Sequence, residues 1–123
     1  MATHNDFGKH AEELAVEYLS KNGYQILTTN YRYLKAEIDI IAEIDSTIIV
    51  VEVKARTTTA FLEPHEAVNR KKIKHIVSAA DHFMQEMNRV EEVQFDIISV
   101  FPNACGSLEI QHLKNAFNSI DAN

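Results

Sequence analysis

Two runs dense in isoleucine and valine, Leu34–Ile44 and Thr47–Arg56, are separated only by Asp45-Ser46. Nothing else in the chain limits its folding as strongly. β-Branched residues favour extended backbone, and a two-residue polar connection between two such runs predicts a tight antiparallel hairpin. In that register Ile44 faces Thr47, Asp39 faces Glu52 and Glu37 faces Lys54. Side chains alternate across a strand, so Glu37, Asp39 and Ile41 are expected on one face, and Val50, Glu52 and Lys54 on one face of the partner.

The rest of the chain frames this hairpin. Asn5 or Asp6 is a candidate cap for a first helix that ends before Gly23. Tyr24–Arg32 reads as a strand and Thr57–Glu63 as a loop. Pro64 is placed to start a second helix running to about Met87. Glu92–Phe101 reads as a strand and Leu108–Leu113 as a short edge strand, with a partial or frayed helix from Lys114. Helix, three strands, helix, one or two strands predicts an α/β fold: a central mixed sheet flanked by α-helices. No linker, repeat or low-complexity tract divides the chain, so residues 1–123 are expected to form a single domain, and a homodimer would help bury its edges.

The hairpin carries the chemistry. Directly opposed side chains stand roughly 4.5–5.5 Å apart at Cβ, and like charges so placed repel. Asp39 and Glu52 lie among Ile38, Ile40, Val51 and Val53, a setting in which two carboxylates must share a proton or bind a cation. A hard divalent ion with oxygen ligands, Mg²⁺ or Mn²⁺, resolves the repulsion. Such an ion activates water and polarises a phosphoryl oxygen. Lys54, on the same face as Glu52, adds a positive charge for a developing phosphate anion. An ordinary hairpin with cross-strand ion pairs is the alternative reading of the same spacing.

The net charge of −6 argues against a general nucleic-acid binder, but its distribution does not. Lys54 to His75 holds six basic and two acidic residues, a net +4, which leaves −10 for the remainder. Arg56, Arg70, Lys72 and Lys74 are therefore candidate contacts for nucleic-acid phosphates near the site, against the alternative of a solvated helix face.

The segments Ala36-Glu37-Ile38-Asp39-Ile40-Ile41 and Val51-Glu52-Val53-Lys54-Ala55-Arg56 resemble the PD-(D/E)xK nuclease signature. More narrowly, the chain resembles the YraN-like family of bacterial proteins, a relative of archaeal Holliday-junction resolvases. The likeness runs from Gly8-Lys9-His10-Ala11-Glu12-Glu13-Leu14-Ala15 through Tyr18-Leu19, Gly23-Tyr24, Asn30-Tyr31-Arg32, Pro64, Val68, Lys72 and Ala80 to Phe95-Asp96. It implies a restriction-endonuclease-like fold, metal-dependent cleavage of DNA, Asp39 and Glu52 as metal ligands, Lys54 as the catalytic lysine and Glu12 as a further acidic ligand. Glu12 shares a helical face with Ala15, Val16 and Leu19, so it can point at the sheet; its other reading is a first-turn acid favoured by the helix dipole. Glu37 is expected to pair with Lys54 or Arg56. Ala11 and Ala36 stand where glycine is usual, Gln94 where an arginine often precedes Phe-Asp, and Ile38 where the signature has proline.

Other chemistry is weakly supported. His65, His75 and His82 lack the spacing of a zinc site, and Cys105 lies in a turn-rich stretch with no histidine arrangement to activate it. Tyr31 and Tyr33 are candidates for stacking on bases, against a place in the core or its rim. Residues 1–10 contain no apolar run of export-signal length, and the longest apolar stretch, Ile48–Val51, is far too short for a bilayer. A cytoplasmic protein with no membrane segment is expected. The alternative function is a catalytically inactive nucleic-acid-binding or scaffold protein that keeps the nuclease fold.

Overall fold

The computed structural model describes residues 4–57 and 68–122. Pro64, His65 and most of the loop expected before them lie outside the described residues. The elements are α1 (His4–Lys21), β1 (Gln25–Tyr33), β2 (Ala36–Ile44), β3 (Thr47–Ala55), α2 (Arg70–Glu86), β4 (Glu92–Pro102), β5 (Leu108–Phe117) and a 3₁₀ turn (Ser119–Ala122). The strands form one five-stranded sheet in the order β1-β2-β3-β4-β5. Only β3 and β4 run parallel, with α2 in the connection between them. The fold is α/β, a mixed sheet with a helix on each face.

Two apolar layers result. α1 lays Ala11, Ala15 and Leu19, four residues apart and fully buried, against Ile40, Ala42, Ile49, Val51, Ile98 and Val100. α2 lays Ile73, Ile76, Ala80 and Phe83 against Ile38, Ile41, Ile48, Val50, Phe95 and Ile97. Burying each of these large side chains contributes about 1.5–3 kcal/mol, and this holds both helices to the sheet.

Local chemistry sets the ends of the elements. α1 closes in a Schellman arrangement: Tyr24 N–H donates to Leu19 C=O (3.0 Å) and Gly23 N–H to Ser20 C=O (3.3 Å). Gly23 has φ +90°, a conformation only glycine adopts without strain. The helix already includes Asn5 and Asp6, so neither is its cap; an acid in the first turn serves the dipole instead. Asn69 caps α2 by accepting a hydrogen bond from Lys72 N–H (2.8 Å).

The Asp45-Ser46 turn has positive φ at both residues (49° and 62°), the pattern of a type I′ hairpin, and the register Ile44/Thr47 to Ile40/Val51 follows from it. Two expectations need correcting. First, strict alternation along β2 fails at Asp39: Ala36 and Ile38 join the α2 layer together with Ile41, whereas Ile40 and Ala42 join the α1 layer. The neighbouring strand explains this, because Asn30, at the gap between the pairs Thr29/Ile40 and Tyr31/Ile38, has φ +52°. Second, the helical turn expected from Lys114 begins only at Ser119, as a 3₁₀ turn. β5 continues to Phe117, whose buried ring stacks on Phe95 with centroids 5.2 Å apart.

Candidate metal and phosphate site

Asp39 sits where the hairpin opens. The β2–β3 pairing stops at Ile40/Val51. Beyond it, Val53 N–H donates to the Asp39 carboxylate at 2.7 Å, tying the two strands through a side chain. Asp39 and Glu52, both buried (9% and 7% exposed), border one cavity of about 220 Å³ with Ala36, Lys72 and His75. The Asp39 carboxyl is pushed up to about 7 by burial first and by the charge of Glu52 second; the Val53 hydrogen bond opposes the shift and the charge of Glu12 adds to it. The positive charge near it, that of Lys72, lowers the value but does not outweigh burial and Glu52.

Two lysines stand beside the acids. Lys72 Nζ, reaching down from α2, lies 2.9 Å from Glu52 Oε1. Lys54, half-buried at the end of β3, lies close enough to Lys72 for the two charges to act on each other. Burial lowers the Lys54 ammonium below its ordinary range, and the charge of Lys72 lowers it further. Burial would also lower Lys72, but its hydrogen bond to Glu52 and the charge of Glu52 outweigh that and hold it above its ordinary range. The hairpin alone indicated Lys54. Lys72 was expected only as a phosphate contact, and its ion pair with Glu52 depends on how α2 docks, for which the sequence carries no local signal.

The other expected residues separate into near and far. Glu12, half-buried on α1, accepts a hydrogen bond from Asn30 Nδ2 (3.1 Å) and borders a second cavity of about 360 Å³ that also reaches Asp39. Asp39 thus faces α1 on one side and α2 on the other. Glu37 pairs with Arg32 Nε of β1 (3.2 Å), not with Lys54 or Arg56, because β1 holds Arg32 opposite it in register. Arg56 is half-buried, its N–H bound to Val100 C=O (2.8 Å) and its Nη1 buried without a hydrogen-bond partner among the described residues. Arg70 borders a different cavity, with Phe117 and Asp121, and Lys74 is exposed.

The residues fit a hard cation in part. Asp39 and Glu52 offer two oxygen donors in one cavity, and Asp39 has the unmet charge a cation would satisfy. Among the described residues, however, no three acidic, histidine or cysteine side chains come close enough together to hold a metal ion.

Sequence reasoning missed a buried network on the α1 side of β4. Asp96, fully buried, accepts hydrogen bonds from Gln94 Nε2 (2.9 Å) and Asn115 N–H (2.9 Å), and its Oδ2 lies 2.7 Å from His112 Nε2. His112 Nδ1 lies 2.8 Å from the Tyr18 hydroxyl of α1. Both contacts are satisfied if Nε2–H donates to Asp96 and Nδ1 accepts from Tyr18. Gln94 therefore supports a buried acid and does not stand in for a phosphate-binding arginine. The available signal was Asp96 itself, a charge in the apolar run Phe95–Val100.

Residues 11–100 match the model of the "Uncharacterised protein family UPF0102". Proteins named UPF0102 are 48% identical in Christiangramia forsetii, over 95% of this chain and 98% of that one, and 44% identical in Bacteroides thetaiotaomicron, over 95% and 96%. Among solved structures, SfsA of Pyrococcus furiosus, determined in complex with Ca²⁺, overlaps 89% of this chain at 13% identity with a TM-score of 0.33; the chain spans 61% of its length.

Proposed function

The chain belongs to the UPF0102 (YraN-like) family, and from that premise we propose that it is a metal-dependent nuclease hydrolysing phosphodiester bonds in DNA. One observation carries the reading: Asp39 and Glu52 border a single cavity with Lys72, whose ammonium lies 2.9 Å from Glu52, and Lys54 sits within electrostatic reach of all three. Asp39 and Glu52 would hold Mg²⁺ or Mn²⁺, with Glu12 the nearest further acid on the α1 side. When bound, such an ion supplies an acidified water and a polarised phosphoryl oxygen. Lys54, held below the ordinary lysine range, is suited to take up or share a proton of the attacking water. Lys72 keeps its charge and is suited to stabilise the phosphate as negative charge builds on it. Arg56, Arg70 and Lys74 would contact phosphates farther along the strand.

A second reading is a nucleic-acid-binding protein without turnover. The Lys72–Glu52 ion pair favours it, because Lys72 already neutralises one of the two acids. Incubating the protein with linear, single-stranded and branched DNAs, with and without Mg²⁺ or Mn²⁺, separates the two. Cleavage that needs the ion and is lost in Asp39→Asn supports the nuclease. Binding without cleavage under every condition supports the second reading.

A further inference from the structure

The turn from β1 into β2 is unusual. Of Leu34 and Lys35, only Leu34 has positive φ (55°), the sign pattern of a type II′ turn, whose first central position is ordinarily glycine. A leucine there is strained, and its side chain does not repay the strain by packing, since Leu34 is 85% exposed. Beside it lies a cavity of about 360 Å³, walled by Tyr33, Leu34 and Ala36, with Lys35 of the turn and His75 and Ser78 of α2 as further lining groups. That volume falls within the roughly 300–1,000 Å³ of small-ligand pockets. The cavity shares Lys35, Ala36 and His75 with the Asp39/Glu52 cavity. Ala36 and Asp39 are three residues apart on β2, roughly 10 Å along the strand. The two cavities are adjacent compartments of one groove, one apolar and one charged.

The apolar compartment is held rigid. Tyr33 stacks on His82 with centroids 4.0 Å apart and an interplanar angle of 15°. The Tyr31 hydroxyl lies 2.7 Å from His82 Nδ1, and the Tyr31 ring meets Phe83 edge-on at 5.4 Å. This chain of rings fixes the Tyr33 wall before any ligand arrives.

We infer that this compartment takes one unpaired base of a DNA strand whose phosphate lies at the Asp39/Glu52 cavity, so that the substrate contains a single-stranded segment. The inference rests on the nuclease reading above. A flat apolar base suits Tyr33 and Leu34, and stacking of this kind tolerates any sequence. His75 and Ser78 are placed to bond the base edge, which is free only in an unpaired base. Lys35 and Lys72 complement the phosphates on either side. An exposed apolar side chain beside such a site acts as a wedge that separates neighbouring bases.

The test compares binding of a labelled single strand and of the same sequence as blunt duplex, by fluorescence anisotropy in Ca²⁺ and again in EDTA. The probes are wild type, Leu34→Gly, Tyr33→Ala and, as a control, Val90→Ser, which alters an exposed apolar residue bordering none of these cavities. Wild type is expected to prefer the single strand, and each of Leu34→Gly and Tyr33→Ala to cut that preference about tenfold, with Val90→Ser unchanged. Leu34→Gly puts the easier residue at its turn position, so loss of folding does not explain a loss of binding. A 5-iodouracil at an unpaired position is expected to crosslink to Tyr33. Equal binding of both DNAs, with preference untouched by Leu34→Gly, overturns the base pocket and leaves the nuclease reading standing. Binding of neither DNA overturns both. If sedimentation shows a wild-type dimer that Leu34→Gly converts to monomer without affecting DNA preference, the patch is a contact between copies and the inference fails.

Discussion

Asp39 and Asp96 are both buried aspartates of one sheet, and they are treated oppositely. Asp96, with no exposed surface, has its carboxylate engaged by Gln94, Asn115 and His112. Asp39, at 9% exposure, accepts from Val53 N–H and is set beside a second carboxylate. A buried charge costs little when it is fully hydrogen-bonded and much when it is not. Asp96 therefore reads as structural, joining β4 to β5 and, through His112 and Tyr18, to α1. Asp39 instead keeps a like-charged neighbour, which Lys72 offsets only in part.

Removing each acid should give opposite results, and the largest effect belongs to Asp96. Asp96→Ala strands His112, Gln94 and the Asn115 N–H in the interior, and is expected to cost about 3–5 kcal/mol in urea unfolding. Asp39→Asn removes a repelled charge with little change of shape. At pH 8, without divalent ions, it is expected to leave the protein as stable as wild type or more so, by about 1–2 kcal/mol. A larger loss for Asp39→Asn than for Asp96→Ala would reverse the comparison.

pH sharpens it further. Asp39 has a folded-state value of about 7 against an ordinary 3.8, so between these values the folded protein holds a proton that the unfolded chain releases. The resulting stabilisation is fully present below about 4 and is lost as pH rises through about 7. Wild type minus Asp39→Asn should therefore lose stability from pH 5 to pH 8, by at most about 1.4 kcal/mol per pH unit. A flat difference would mean that Asp39 is ionised throughout and already has its counter-charge. A smaller effect is expected on binding: Lys72→Gln should weaken DNA affinity and lower its salt dependence by about one phosphate contact, and Lys74→Gln should do so less. Equal effects would show that the helix acts only through its total charge.

The two aspartates also mark how far the sequence could be read. The hairpin register was legible because turn length fixes pairing, and Asp45-Ser46 permits only a tight connection. That register carries the pairing only as far as Ile40/Val51; Asp39 and Glu52 meet just past it, at their shared cavity. The break in alternation at Asp39 was not legible, because it depends on the backbone conformation of Asn30 in another strand. Nor was the Lys72–Glu52 pair, which depends on the docking of a helix across a parallel crossover. The Asp96 network joins residues as far apart as Tyr18 and His112, and no local pattern announces contacts of that range.

Isothermal titration of wild type and Asp39→Asn with Mg²⁺ and Mn²⁺, with and without DNA, tests most directly whether Asp39 waits for a cation. Wild type is expected to bind one of these ions, and the ion to raise its melting temperature by linkage. Asp39→Asn should lose both effects, while Lys54→Ala keeps the binding and loses turnover. If wild type binds neither ion, even with DNA present, the two carboxylates are satisfied by the lysines alone, and the metal-dependent nuclease reading is wrong.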